Sequence, residues 1–203
     1  TLLALNQMTG ATEKELMDFA LNEAVRLTKS EIGYLAFLNG DETVLTMYSW
    51  SKETMAECAV DNAPVEYRVS ETGLWGEAVR QRRPVVTNDY SLPNPLKKGC
   101  PQGHVPVKRH MNVPVFSGTR IVLVAGVGNK RDEYEDSDIQ HMTLIMEGMW
   151  RLLEQRRAEV SLRESEERFS KAFHSTPAPM VISDIDSGTF IDANEQWLRM
   201  TGF

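Results

Sequence analysis

The chain has 203 residues, 41% of them hydrophobic and 25% charged, with a formal net charge of -7 and a sequence pI near 5.2. That length allows one domain of ordinary size plus an additional piece, and an acidic balance excludes nucleic-acid binding by the molecule as a whole. No apolar run reaches the roughly 18 residues needed to span a bilayer, and TLLALNQMTG lacks the pattern of a signal peptide.

The N-terminal lead-in, residues 1–11, carries no strong pattern. A helix is expected from Thr12, where Thr followed three residues later by Glu15 has the form of a capping box. Leu16, Phe19, Ala20, Ala24 and Leu27 then share one face. Two strands follow at Gly33–Leu38 and Thr43–Trp50, joined through Asn39-Gly40-Asp41, residues that tolerate positive φ. Val65–Val69 and Pro84–Thr87 read as further strands, with a short helix at Leu74–Gln81 between them. His110–Phe116 alternates Met111, Val113 and Val115 against His110 and Asn112, so one face is expected to be buried. Pro114 fits only an edge or a bulge. Ser117-Gly118-Thr119 turns into the apolar run Ile121–Val127, which suits a central strand. Elements of this kind predict an α+β sheet domain with helices on one face.

Between Tyr90 and Arg131 there is no Asp or Glu, whereas Lys97, Lys98, Lys108, Arg109, Arg120, Lys130 and Arg131 all fall there. The first part, about twenty residues punctuated by Pro93, Pro95, Gly99, Pro101, Gly103 and Pro106, cannot form a long regular element. Loops of that length inside a compact domain are usually functional or disordered. A basic loop on an acidic molecule makes a local positive field that attracts an anion. The second part, Met111–Val127, lacks acids because it is buried sheet.

From about Glu135 one long helix is expected, to Thr176. Met142, Met146, Met149, Leu153, Arg156 and Val160 step by three and four, the spacing of a dimer seam or of a helix packed on its own sheet. Leu162, Phe169 and Phe173 continue two residues out of phase.

LTKSEIGYLAFLN (residues 27–39), GLWGEAVRQRRPVVTNDY (73–90), KKGCPQGHVPVKRHMNVPVF (97–116) and AGVGNKRDEY (125–134) together resemble a GAF domain of the kind found at the input end of bacterial sensor kinases. After Arg163, ESEERFSKAFHSTPAPMVISDIDSGTFIDANEQW resembles the start of a PAS domain, too short to complete one. The resemblance divides the chain into a lead-in (1–11), a GAF core (12–134), a GAF helix and signalling linker (135–176) and an incomplete PAS start (177–203). It implies a six-stranded antiparallel sheet whose loop-bearing face holds a ligand, and a helix that passes the bound state to an output domain, a histidine kinase being the usual one. The chain is accordingly expected to be a cytoplasmic segment of a longer, two-component signalling protein, without catalytic activity of its own.

A small anionic ligand is the expected partner, held by Trp75, Asn88, Asp89, Tyr90, Lys98, His104, Arg109 and His110. Aromatic rings would wall the pocket, and the cationic groups would offset a carboxylate or phosphate. A homodimer through the long helix is the second expected partner. No cofactor is required by the sequence. The alternatives are a ligand-free dimerisation module, or a redox, metal or haem sensor using Cys100 and His104. A chromophore on Cys58 or Cys100 lacks a supporting neighbourhood, and Cys58 and Cys100 alone make no disulfide framework.

Overall fold

This computed structural model describes residues 2–51, 66–98 and 105–202. The chain divides into two compact units, residues 1–153 and 154–203.

In the first unit, α1 (Leu2–Gln7) and α2 (Glu13–Leu27) precede β1 (Ile32–Leu38) and β2 (Val44–Trp50). β3 (Glu66–Arg68) leads through two 3-10 turns, Val69–Glu71 and Leu74–Gly76, into the short α3 (Glu77–Gln81). β4 (Val85–Thr87), β5 (His110–Ser117) and β6 (Arg120–Gly128) complete the sheet, and α4 (Asp136–Ser175) follows. The strands pair antiparallel throughout in the order β3-β2-β1-β6-β5-β4. This is the expected α+β sheet of six strands.

Period-two alternation sorts the sheet into two faces. Leu35, Met111, Val113, Val115, Leu123, Ala125 and Val127 join Leu16, Met17, Ala20, Leu21, Ala24, Met142, Met146, Met149 and Leu153 in the core under α2 and α4. Each fully buried side chain of this kind stabilises the fold by about 1.5–3 kcal/mol relative to exposure. Gly33 lets α2 approach, since a Cβ there would lie 2.5 Å from Val25 Cγ2. The capping box forms as expected: Thr12 Oγ1 accepts from Glu15 N, and Glu15 Oε2 accepts from Thr12 N, a motif contributing about 1 kcal/mol.

Local departures have identifiable causes. Leu5 in α1 is fully buried, so part of the featureless lead-in is core. In the β1–β2 turn the left-handed residue is Glu42 (φ 59) rather than Asn39 or Gly40. Asn39 works through its side chain, whose Oδ1 accepts from Thr43 N and Val44 N. Glu42 is held in place by accepting from Arg82 and from Ile121 N. Gly118 takes positive φ (61) at the β5–β6 turn as expected. Pro114 sits mid-strand, but β4 pairs only with residues 110–112 of β5, so no partner on that side requires its missing N–H.

In the second unit, β7 (Val181–Ser183) and β8 (Phe190–Ala193) form a hairpin, and α5 (Glu195–Thr201) follows. Asn194 is its hub and fully buried. Its Nδ2 donates to the carbonyls of Phe173 and Ala178, while its Oδ1 accepts from Met180 N and from Trp197 N, capping α5. No described helix is long and apolar enough to cross a membrane.

Candidate functional site

The sheet face away from α2 and α4 is covered by the 69–81 segment, and its floor is aromatic. Tyr34, Trp50, Tyr67 and Trp75 are each partly buried and pack around Ala36, Leu45, Met47, Val69, Val79, Ile121 and Val124. Tyr34 lies at the centre: its ring centroid is 5.9 Å from Trp50, 6.3 Å from Trp75 in an edge-on contact, and 6.5 Å from the near-parallel ring of His110. Tyr67 meets Trp75 edge-on at 5.1 Å. The same alternation that sends Met111 inward sends His110 and Asn112 to this face, so both faces of β5 are buried and not one as the sequence implied.

Asn112, fully buried, ties floor to wall. Its Oδ1 accepts from the Tyr34 hydroxyl at 2.8 Å, and its Nδ2 donates to the Trp75 carbonyl at 2.6 Å. Burial is the main reason the Tyr34 phenol titrates well above its ordinary range, although the bond to Asn112 opposes it. Gly126 makes the arrangement sterically possible: a Cβ there would stand 2.2 Å from Tyr34 Cε1 and 2.5 Å from Asn112 Oδ1.

The wall is braced by Arg80, which donates to the carbonyls of Val69 and Gly73 and to Thr72 Oγ1. Glu77, almost fully buried, accepts from Arg80 and from Gln81. Burial alone would raise its carboxyl, but the Gln81 and Arg80 hydrogen bonds and the Arg80 charge outweigh it, and its pKa is lowered.

The described residues at the two ends of the basic loop are tied down by local bonds. Asn88 clamps Tyr134, donating to its carbonyl and accepting from its N–H. Asp89 accepts from the N–H and hydroxyl of Ser91; the hydroxyl bond and then the backbone bond hold its carboxyl below the usual range. Tyr90 N donates to the Lys108 carbonyl. Lys97 lies over the Tyr90 ring at 4.7 Å and donates to the Tyr90 and Leu92 carbonyls. Lys98 donates to the Ser70 carbonyl at 3.1 Å, where Gly73 gives the loop room, a Cβ there being 3.1 Å from Lys98 N. Asn129, at φ 62, accepts from Lys108 N, donates through Nδ2 to the Pro106 carbonyl and through its backbone N–H to the Arg109 carbonyl. Tyr134 is further fixed by its hydroxyl, 2.7 Å from Ser30 Oγ, and burial pushes its phenol up to about 12.

The residues expected to hold a ligand therefore separate into three groups. Trp75 and His110 belong to the aromatic face. Asn88, Asp89, Tyr90 and Arg109, with Ser91, Val107, Lys108 and Glu133, line an open cavity of about 420 Å³. Lys98 stands apart against Ser70. His104, Cys58 and Cys100 lie outside the described residues. Sequence reasoning did not single out Tyr34, Tyr67, Asn112, Gly126 or Asn129. Alternation in β1 and β5 was the available signal for Tyr34 and Asn112, whereas the Asn129 clamp depends on a long-range contact.

On α4, Met142, Met146, Met149 and Leu153 are fully buried in the domain's own core. They cannot also form a seam with another chain, which corrects the dimer reading of that stripe: it packs on its own sheet. Arg156 and Val160 belong to the second unit, where Val160, Leu162 and Phe169 are 47%, 60% and 56% exposed.

An antiparallel six-stranded sheet backed by helices on one face, with a packed aromatic cluster on the other, defines an α+β sheet domain, here followed by a second, smaller unit. The chain belongs to the GAF domain family, whose profile matches residues 10–154; a PAS domain profile matches residues 167–203. It is 53% identical over 171 residues to the Methyl sulfide methyltransferase-associated sensor of Methanosarcina acetivorans, covering 84% of this chain but only 17% of that protein. The fold is similar to the GAF domain of a phosphoenolpyruvate-protein phosphotransferase from Acinetobacter, with TM-score 0.58 and 14% identity, over 77% of this chain and 90% of that one. It is also similar to a free methionine-R-sulfoxide reductase from Neisseria meningitidis in complex with its substrate, with TM-score 0.57 and 13% identity, over 76% and 89%. At those identities the likeness is one of fold alone.

Proposed function

We propose that this chain is the sensory input module of a longer signalling protein, taking a small ligand on the aromatic face of its GAF domain. The observation that carries the reading is the Tyr34–Asn112–Trp75 arrangement: flat apolar walls around a small, oriented polar group, as ligand chambers require. The relative named a sensor supports the signalling context. The expected negative charge on the ligand has little support on the described aromatic face, where His110 is the basic side chain against Tyr34; Lys108 and Arg109 line a separate open cavity together with Asp89 and Glu133.

Ligand binding favours one packing of the 69–81 wall over the sheet and passes that bias to α4 by population shift. Because its first turns are committed to the core, a homodimer would form through the outward residues Leu162 and Phe169. A histidine kinase as output domain rests on the GAF–helix–PAS order alone.

Native mass spectrometry of the purified protein, with Trp75→Ala beside it, tests the ligand reading. A bound small molecule released on denaturation and absent from Trp75→Ala is the expected result; equal retention by the variant removes the aromatic face as its site. Light scattering on wild type and Leu162→Glu/Phe169→Glu tests the dimer, which the charges should dissociate.

A further inference from the structure

We propose that the connector between β6 and α4, residues 129–135, is a coupling device that makes the start of α4 follow the stems of the basic loop. The inference rests on the reading of this chain as an input module, and it names the part through which the 69–81 wall reaches the helix.

The wall touches the first stem. Lys98 donates to the Ser70 carbonyl at 3.1 Å, and a Cβ on Gly73 would lie 3.1 Å from Lys98 N. Lys97 donates back to the Tyr90 and Leu92 carbonyls, which closes residues 90–97 into one folded piece. The same stem begins at Asn88, directly after β4, and Asn88 holds the connector. Its Nδ2 donates to the Tyr134 carbonyl at 3.1 Å and its Oδ1 accepts from Tyr134 N at 2.7 Å. A side-chain amide that meets both backbone groups of one residue acts as a strand partner would. The second stem is held from the connector's other end. Asn129 accepts from Lys108 N and donates to the Pro106 and Arg109 carbonyls.

The connector in turn builds the first turn of α4. Glu135 N donates to Asp138 Oδ2 at 2.9 Å, and that oxygen also accepts from Lys130 Nζ. The Lys130 and Asp138 side chains are only 12% and 6% exposed, so salt screens the pair little. Lys130 lies 5.8 Å from the centre of the Tyr134 ring, whose hydroxyl is 2.7 Å from Ser30 Oγ. A shift of the first stem therefore moves the backbone at Tyr134, between Lys130 and Glu135, on which the helix start rests. Packed and hydrogen-bonded parts exchange between discrete arrangements, so stem and helix start loosen together. Coupling of this kind acts equally in both directions.

Hydrogen exchange of the full chain, read by mass spectrometry with no ligand added, tests the device. Asn88→Ala should raise exchange about tenfold at residues 139–143 of α4 as well as in its own stem. Lys130→Met, which leaves Asp138 on Glu135 N, should raise exchange about tenfold at Tyr90 and Ser91, whose N–H groups donate within the stems. In the double variant the second substitution should add less than about threefold, because the first has already freed the connector. Asn88→Asp keeps the acceptor for Tyr134 N and should give a smaller rise at the same residues. Thr12→Ala, which removes the α2 cap instead, should leave residues 139–143 unchanged and so separates coupling from general loss of stability. A rise confined to the substituted side, full multiplication of the two effects in the double variant, or an equal rise at residues 139–143 in Thr12→Ala overturns the proposal. The aromatic-face reading stands or falls separately, on ligand retention by Trp75→Ala.

Discussion

Replacing Asn112 by Ala removes two buried hydrogen bonds at once, to the Tyr34 hydroxyl and to the Trp75 carbonyl. Each leaves behind a polar group whose desolvation is no longer offset, at about 1–3 kcal/mol apiece, so a total loss of about 2–6 kcal/mol is expected. For a chain of this size that corresponds to a fall in Tm of roughly 4–24 °C. Tyr34→Phe alone leaves Asn112 Oδ1 without its donor and should cost about 1–3 kcal/mol. The double variant should cost less than the sum, by about 0.5–1.5 kcal/mol, because the shared bond is counted once. Urea unfolding followed by near-ultraviolet circular dichroism, which reports the packing of these rings, measures all four proteins. A cost below about 0.5 kcal/mol for Asn112→Ala, or a coupling of zero, would refute Asn112 as the tie between floor and wall.

Three further outcomes follow from other contacts. Gly33→Ala should destabilise by about 1–3 kcal/mol in the same unfolding assay, since its Cβ would overlap Val25 Cγ2 in a packed core. Glu77, with a folded pKa below its ordinary 4.5, contributes stability that is present above pH 4.5 and lost as pH falls through the lower folded value. Glu77→Gln should therefore show a flatter stability profile below pH 4.5 than the wild type. Asn194→Ala should raise amide hydrogen exchange in β7, β8 and α5, leaving the β1, β5 and β6 amides of the GAF domain unchanged.

Legibility followed the range of the interaction. The α2 cap, the two hairpins and the β5 alternation are local signals, and each appears within a few residues of its expected place. The β1–β2 turn was harder, because Glu42 takes the left-handed conformation for bonds to Arg82 and Ile121 that no local pattern encodes. The stripe on α4 had two readings of equal spacing; the sheet beneath it decides, by burying Met142, Met146, Met149 and Leu153. The basic loop drew attention by composition, yet composition does not say where side chains point. Lys97, Lys98, Asn88 and Asp89 are largely spent holding the loop itself. Tyr34 and Asn112 form the better-organised polar group because β1, β5 and β6 bring them together, with Gly126 leaving the space.

The four indole N–H signals in a nitrogen-15 spectrum test the location of the ligand chamber most directly. Trp50 and Trp75 line the aromatic face, Trp150 lies toward the helix-side core, and Trp197 sits in the second unit. When the small molecule recovered from the native protein is returned to stripped protein, the Trp50 and Trp75 signals should shift while Trp150 and Trp197 stay in place. A shift at Trp150 with Trp50 and Trp75 unmoved would contradict the account.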